Sequence, residues 1–163
     1  MANGVTADTA RYHLPSSRKV AQSTYAAFRE LPSFIVPGMS ERQLAWRMGR
    51  LLEQNGSEQR AFPVIVAFGE QAAQPHHVPT GRVLRRGDMI KVDAGGVYNS
   101  MRGDVTRTFF FGTPTKKFIT RYSAVFTAQQ KAFPHYKAGA IGKDIDTIAR
   151  DYKNTEITQT IYS

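Results

Sequence analysis

The centre of the chain is rich in β-branched and aromatic side chains, which occur in three short runs. The runs cover residues 61–68, 90–93 and 105–111, and each has the composition of a buried strand. Between the last two runs, glycine and polar residues at 95–96 and 99–103 are typical of turns and bulges. We therefore expect this central segment to fold back on itself as antiparallel strands.

Apolar residues recur at helical spacing in four other segments. The predicted helices cover residues 16–29, 40–54, 118–133 and 143–152. Ser40 and Gln43 have the spacing of a capping box, in which each side chain binds a free backbone N–H of the first turn. Residues 1–15 show no apolar periodicity and predict a loose N-terminal arm. We expect the single tryptophan, Trp46, to pack in the core.

The chain is strongly basic, with 22 Lys and Arg against 13 Asp and Glu and a net charge of +9. Clustered basic side chains release counterions from phosphates, so this charge raises the question of a nucleic-acid partner. The basic residues are scattered, however, and form no block with interleaved aromatic residues. Most of them are expected on the solvated surface, which argues against nucleic acid as the partner.

The chain contains no cysteine, which excludes disulfides and thiolate metal ligands. Any metal would therefore be held by oxygen and imidazole. No apolar run approaches the roughly 18 residues of a membrane span, and the N-terminus lacks a basic region followed by an apolar one. We expect no membrane association and a cytoplasmic location.

Two carboxylates lie inside the apolar central segment, Asp93 and Asp104, with ten residues between them. An unpaired charge in apolar surroundings is costly unless something compensates it. Two antiparallel strands could place both carboxylates on one face, where they would share a proton or a hard divalent cation. The alternative is that Asp93 is an ordinary strand-end residue and that Asp104 pairs with Arg102 or Arg107.

Two adjacent histidines, His76 and His77, lie in a loop between Pro75 and Pro79. Proline fixes its own φ and restricts the residue before it, so this loop can hold a side chain in a defined position. The alternative for a loop histidine is simple exposure to solvent. The loop sequence alone is compatible with both.

Five stretches of the sequence together resemble the peptidase domain of Xaa-Pro aminopeptidases and prolidases. They occur in order as F-P-V-I-V-A-F-G, Q-P-H-H-V-P-T, G-D-M-I-K-V-D-A-G-G-V-Y, R-G-D-V-T-R-T-F-F-F-G and G-K-D-I-D-T-I-A-R. That family shares the pita-bread fold with methionine aminopeptidases and creatinase. The resemblance implies an α+β fold of antiparallel strands covered by helices, with the first half of the domain present over residues 16–152.

The resemblance also implies site residues. Asp93 and Asp104 match the first two of the family's five metal ligands, with Asp104 bridging two divalent ions such as Mn²⁺, Co²⁺ or Zn²⁺. His76 matches the histidine that contacts substrate and assists proton transfer, whereas His77 has no equally firm counterpart. The family's metal-binding His and two Glu find no match, and residues 153–163 do not resemble the family. We therefore expect a truncated or frameshifted product.

Three functions are compatible with these features. The first is a two-metal aminopeptidase that removes an N-terminal residue from a peptide with proline second, weak or inactive because half of the metal site is missing. The second is a non-catalytic pita-bread module that binds protein, peptide or RNA, and the third is a fragment without function. A half-domain also exposes an apolar face, which predicts a homodimer or aggregation.

Overall fold

The computed structural model describes the backbone of residues 7–162 and the side chains of residues 13–152 and 154. The chain divides into two units, Met1–Thr113 and Pro114–Ser163. The described strands and two of the helices belong to the first unit, and two further helices belong to the second. All the candidate site residues therefore lie in the first unit.

The first unit alternates helices with short strands. Its elements are α1 (Ala7–Glu30), a 3-10 turn (Leu31–Phe34), α2 (Glu41–Gln54), β1 (Gln59–Arg60), β2 (Ile65–Phe68), a 3-10 turn (Gly69–Ala73), β3 (Met89–Ala94), β4 (Gly96–Tyr98), β5 (Met101–Arg102) and β6 (Val105–Phe110). The second unit is helical over its described residues. Its elements are α3 (Lys116–Ala132), a 3-10 turn (Phe133–His135) and α4 (Gly142–Tyr162).

The described strands form two antiparallel sheets of three strands each, with the orders β1-β4-β5 and β2-β3-β6. In the second sheet, Asp93 of β3 lies opposite Ile65 of β2 and Thr106 of β6. β4 and β5 form a hairpin whose turn residues, Asn99 and Ser100, have left-handed φ angles of 47° and 65°. Such angles suit a tight hairpin turn. The segment expected to be a simple turn thus belongs to a second small sheet.

The core of the first unit lies between α1, α2 and one face of the β2-β3-β6 sheet. Along β3, Ile90, Val92 and Ala94 are buried in this core. Because successive residues of a strand point to opposite faces, Lys91 and Asp93 project from the other face. The sheet therefore separates the core from the face that carries the carboxylate.

Helix α2 begins as the capping pattern predicts. The Ser40 hydroxyl accepts a hydrogen bond from the Gln43 backbone, and the Gln43 side chain accepts one from the Ser40 backbone. The expectation that Trp46 packs in the core is wrong, because Trp46 is 57% exposed. The Arg47 guanidinium lies 5.4 Å from the centre of its ring and covers part of it.

Helix α1 begins earlier than the sequence predicts. It starts at Ala7, and the chain is helical rather than loose over residues 7–15. Pro15 lies inside this helix, where it removes one backbone hydrogen bond without ending the helix. Residues 1–6 of the expected arm lie outside the described residues. At the other end, α4 continues to Tyr162.

In the second unit, α3 and α4 contact each other. The buried positions of α3 are small and recur every fourth residue, at Ala124, Ala128 and Ala132. Larger apolar residues of α3 are about half exposed, namely Ile119, Tyr122, Val125 and Phe126. The homodimer expected from the sequence stays a prediction. Within the described part of the chain, no helix is both long and apolar enough to cross a membrane.

Candidate active site

A pocket of about 420 Å³ opens on the sheet face that carries Asp93. Apolar side chains form most of its wall, and both aspartates and both loop histidines contribute to it. The lining residues are Phe62, Pro63, Val64, Ile65, His76, His77, Val78, Pro79, Asp93 and Asp104. The three residues that the sequence singles out, His76, Asp93 and Asp104, thus lie around one pocket.

The strand register places the two aspartates side by side. Asp93 of β3 lies opposite Thr106 of β6, and Asp104 directly precedes β6. Asp104 and Thr106 are two residues apart, so their side chains point to the same face as Asp93. The expectation that antiparallel strands bring both carboxylates to one face agrees with this register.

A close approach of two backbone segments brings Asp104 to the end of β3. A side-chain carbon at Gly95 would overlap the carbonyl oxygen of Gly103, the residue before Asp104. The Gly103 N–H donates to the Gly96 carbonyl at 2.8 Å and fixes this approach. Only glycine leaves room for such a contact, so the D-A-G-G sequence is part of what builds the site.

The Asp93 carboxylate is only partly compensated by the protein. Its Oδ1 atom is buried and has no hydrogen-bond partner within the described structure. Burial raises the pKa of the Asp93 carboxyl above its ordinary value, a hydrogen bond with the Thr106 side chain opposes this, and the neighbouring Asp104 carboxylate raises the pKa further. Buried polar atoms without a partner are rare in native proteins. A bound proton or cation would compensate the carboxylate charge that the surrounding residues leave uncompensated.

The two arginines near Asp104 in the sequence have other partners. Arg102 donates to the backbone carbonyl of Ala61, and the Arg107 guanidinium lies 5.2 Å from the centre of the Tyr25 ring. The ion pairs found among the described residues do not include Asp104. The structure therefore gives no support to the alternative in which Asp104 only pairs with an arginine.

Asp93 and Asp104 supply the kind of ligand that hard divalent cations prefer, since both offer carboxylate oxygens. The orphaned oxygen of Asp93 beside a second carboxylate fits such an ion. Over the described ranges, however, no group of three or more His, Cys, Asp or Glu side chains is placed to hold a metal ion. The two aspartates are thus a partial ligand set, which leaves other coordination positions to water or to groups from elsewhere.

The two histidines of the loop differ in exposure. His76 is exposed, whereas His77 is only 7% exposed. His77 Nε2 lies 2.8 Å from Oε2 of Glu41. Simple exposure, the alternative that the sequence left open for a loop histidine, therefore fails for His77, which has a buried carboxylate as its partner.

Glu41 is a site residue that the sequence analysis missed. It is fully buried in the first turn of α2. Besides His77, its carboxylate accepts hydrogen bonds from the Phe68 N–H at 2.8 Å and from the Thr80 N–H and hydroxyl at 2.9 and 2.8 Å. Burial alone would raise the pKa of Glu41, but these hydrogen bonds outweigh burial and hold the pKa below its ordinary value. An acidic residue in a first helical turn is usually solvent-exposed, so the sequence carried no signal of burial.

The chain matches one protein family over most of its length. The family model described as metallopeptidase family M24 matches residues 16–160, a range that includes the two aspartates, both loop histidines and Glu41. This chain belongs to metallopeptidase family M24.

Relatives of this M24 chain include enzymes named for proline-containing peptides. It is 38% identical over 117 residues to the Xaa-Pro dipeptidase of Pyrococcus furiosus, which covers 72% of this chain and 34% of the relative. The crystal structure of an X-Pro aminopeptidase from Thermotoga maritima is 31% identical, with a TM-score of 0.86 over 90% of this chain and 42% of that chain. The prolidase structure from Pyrococcus furiosus is 32% identical, with a TM-score of 0.85 over 89% of this chain and 43% of that chain.

These similarities confirm the family and fold that the sequence motifs predict. The M24 chain has the pita-bread architecture of antiparallel sheets covered by helices, present as part of a domain. The chain spans 34% of the length of the Xaa-Pro dipeptidase of Pyrococcus furiosus. The individual roles of His76, Asp93 and Asp104 stay predictions.

Proposed function

We propose that the pocket is the carboxylate half of a metal-dependent peptidase site, in which Asp93 and Asp104 bind the metal and His76 contacts the substrate. The observation that carries this proposal is the buried Oδ1 of Asp93, which has no partner in the described structure and lies beside a second carboxylate. Membership of a metallopeptidase family favours a cation over a shared proton as its compensation.

The proposed division of labour follows from where each residue lies. Divalent ions such as Mn²⁺, Co²⁺ or Zn²⁺, when bound, would polarise a peptide carbonyl and acidify water. Asp93, on strand β3, and Asp104, just before β6, would hold the metal. His76, exposed at the same pocket, would accept or donate a proton as the peptide bond breaks.

The substrate proposed for the pocket is a peptide with proline at its second position. This rests on the relatives, which are named an Xaa-Pro dipeptidase and an X-Pro aminopeptidase. The apolar wall that includes Phe62, Val78 and Pro79 suits an apolar side chain or a proline ring. Because the described residues offer two carboxylates and no group of three or more metal-ligating side chains, we expect this stretch of chain to hydrolyse peptides only weakly on its own.

A non-catalytic module that binds protein, peptide or RNA is the competing function, and the net charge of +9 favours it. Such a module has no use for two neighbouring carboxylates in an apolar pocket. Their mutual repulsion, together with the burial of Asp93, destabilises the fold. The pair is better accounted for by a bound cation.

The direct test of the proposed function is hydrolysis of an Xaa-Pro dipeptide with added Mn²⁺ or Co²⁺, beside the same assay on Asp104→Ala. We expect slow, metal-dependent release of the N-terminal residue that the substitution abolishes. Hydrolysis that persists at the same rate in Asp104→Ala would place the chemistry elsewhere. If the chain binds Mn²⁺ through the two aspartates without hydrolysis, the metal role is supported and the activity of this chain on its own is refuted.

A further inference from the structure

We propose that Glu41, His77 and Thr80 are positioning residues that hold His76 against the proposed metal ligands. The role rests on the proposed function, since it assigns a purpose to the buried network beside the same pocket. The three residues are called the clamp below, and residues 74–80 are called the histidine loop.

The clamp fixes the histidine loop on the C-terminal side of His76. His77 directly follows His76, and its Nε2 lies 2.8 Å from the Glu41 carboxylate. Because an ionised carboxylate is only an acceptor, the His77 Nε2 carries the hydrogen of this bond. Thr80 adds two donors, its backbone N–H and its hydroxyl, both to Oε2 of Glu41.

Glu41 connects the loop to two rigid elements. It belongs to α2, and its Oε1 atom accepts the backbone N–H of Phe68, the last residue of β2. The Gln71 side-chain amide, with its nitrogen turned to the carboxylate, adds a donor 2.8 Å from Oε1. A buried carboxylate whose oxygens all accept hydrogen bonds holds its donors in one arrangement. Any other arrangement would leave the charge buried without hydrogen-bond partners.

A second anchor holds the loop on the N-terminal side of His76. Lys91 of β3 donates through Nζ to the backbone carbonyls of Gln74 and Pro75. Lys91 and Asp93 are two residues apart and project from the same face of the sheet. The backbone is therefore tied to the strand that carries Asp93 immediately before His76, and to α2 immediately after it.

This arrangement matters because His76 itself is exposed and lies on a loop. A displacement of about 1 Å in a catalytic group can reduce a rate about a hundredfold. Precision of that kind requires that a loop side chain be held by supporting residues. The clamp and Lys91 are the described contacts that provide this support.

The first experiment measures amide hydrogen exchange in Glu41→Gln, which keeps the shape of the side chain, removes its charge and replaces one acceptor oxygen with an NH2 donor. We expect the Thr80 amide to exchange at least about tenfold faster, because the hydrogen bond to Glu41 that protects it is weakened. Glu53→Gln changes a partly exposed carboxylate on the same helix and is the matched control, in which Thr80 exchange should stay unchanged. Unchanged exchange at Thr80 in Glu41→Gln would overturn the clamp.

Thr80 provides a second pair of variants in case Glu41→Gln does not fold. Thr80→Ser keeps the hydroxyl that reaches Glu41, whereas Thr80→Val removes it at nearly constant volume. We expect faster exchange in the loop for Thr80→Val and rescue by Thr80→Ser. Identical exchange in the two variants would contradict the proposal.

The second experiment measures where His76 lies, which a merely structural role would not change. Mn²⁺ bound at the aspartates should broaden the NMR signals of the His76 ring and of the Thr106 amide. In Glu41→Gln and Thr80→Val we expect severalfold less broadening at His76 relative to Thr106, and in Thr80→Ser and Glu53→Gln the wild-type ratio. An unchanged ratio in the first two variants would overturn the positioning role. Absence of broadening at Thr106 in the wild type would refute the metal site, while the exchange data would still decide the clamp.

Discussion

Two carboxylates near the histidine loop, the buried Glu41 and the half-buried Asp93, have opposite surroundings. Glu41 accepts hydrogen bonds from Phe68, His77 and Thr80, and the pKa of its carboxyl is held below the ordinary value. Asp93 keeps one oxygen without a partner in the described structure and has Asp104 beside it, and burial raises its pKa.

This difference separates a structural carboxylate from a candidate functional one. A carboxylate whose acceptors are filled stabilises the fold as long as its partners stay in place. A carboxylate left unsatisfied next to a like charge reduces stability, and native proteins keep such features mainly where they serve a function. The contrast predicts that removal of Glu41 and removal of Asp93 will change the free energy of unfolding in opposite directions.

The largest effect is expected for Glu41→Ala. The substitution leaves the buried His77 ring and the backbone N–H groups of Phe68 and Thr80 without their acceptor. We expect a loss of roughly 3–5 kcal/mol in the free energy of unfolding, as for breaking one side of a buried pair. Urea denaturation followed by circular dichroism measures it.

The control for Glu41→Ala is Glu53→Ala on the same helix, where the carboxylate pairs with Arg50 at the surface. A surface pair contributes about 0–1 kcal/mol, so this variant should unfold close to the wild-type midpoint. Similar midpoints for the two alanine variants would mean that the buried network adds little stability.

Gly95→Ala is expected to have the next largest effect. The added methyl group overlaps the carbonyl oxygen of Gly103 and forces apart the segments that place Asp104. We expect a loss of about 2–3 kcal/mol, as for overpacking at a tight contact. Gly142→Ala is the control, because a side-chain carbon there meets no atom within 4 Å. If both variants unfold at the same denaturant concentration, the close approach at Gly95 is not what fixes Asp104.

The surroundings of Asp93 can be predicted from the sequence far better than those of Glu41. Asp93 and Asp104 stand out as charges within apolar runs, and strand alternation is enough to place them on one face. The contact between Glu41 and His77 joins residues 36 apart in the sequence, and no local pattern encodes it. A capping box fixes where α2 begins, but it does not show which face of the first turn is covered.

The remaining differences have the same origin. The second sheet, β1-β4-β5, depends on β1, which lies outside the central segment. A side-chain carbon at Gly96 would collide with Ser57, and these two residues are also far apart in the sequence. Trp46 satisfies the helical pattern of α2 yet is exposed, because hydrophobicity alone does not report which neighbours are present.

A stabilising effect is expected for Asp93→Asn. The folded-state pKa of Asp93 is raised above the ordinary value of 3.8, so the folded state binds this proton more tightly than the unfolded state does. The ionised group therefore reduces stability increasingly as pH rises from about 4 through the folded-state pKa, and the full penalty is present above it. The amide removes the charge, and we expect Asp93→Asn to be more stable than wild type at neutral pH, by less than the two preceding variants lose.

Thermal unfolding of Asp93→Asn and wild type between about pH 4 and pH 7 tests this sign. The difference in midpoint should be small in acid and grow towards neutral pH. A variant that is less stable than wild type at neutral pH would show that Asp93 is satisfied in a way that its environment does not indicate.

The most direct measurement of the central claim is a calorimetric titration of the chain with Mn²⁺, beside Asp93→Asn and Asp104→Asn. With two carboxylates as the protein ligands, we expect weak binding, with a Kd on the order of tenths of millimolar to millimolar, that either substitution abolishes. Binding that survives in both variants, or no binding to the wild-type chain, would contradict the assignment of the Asp93–Asp104 pair as a metal site.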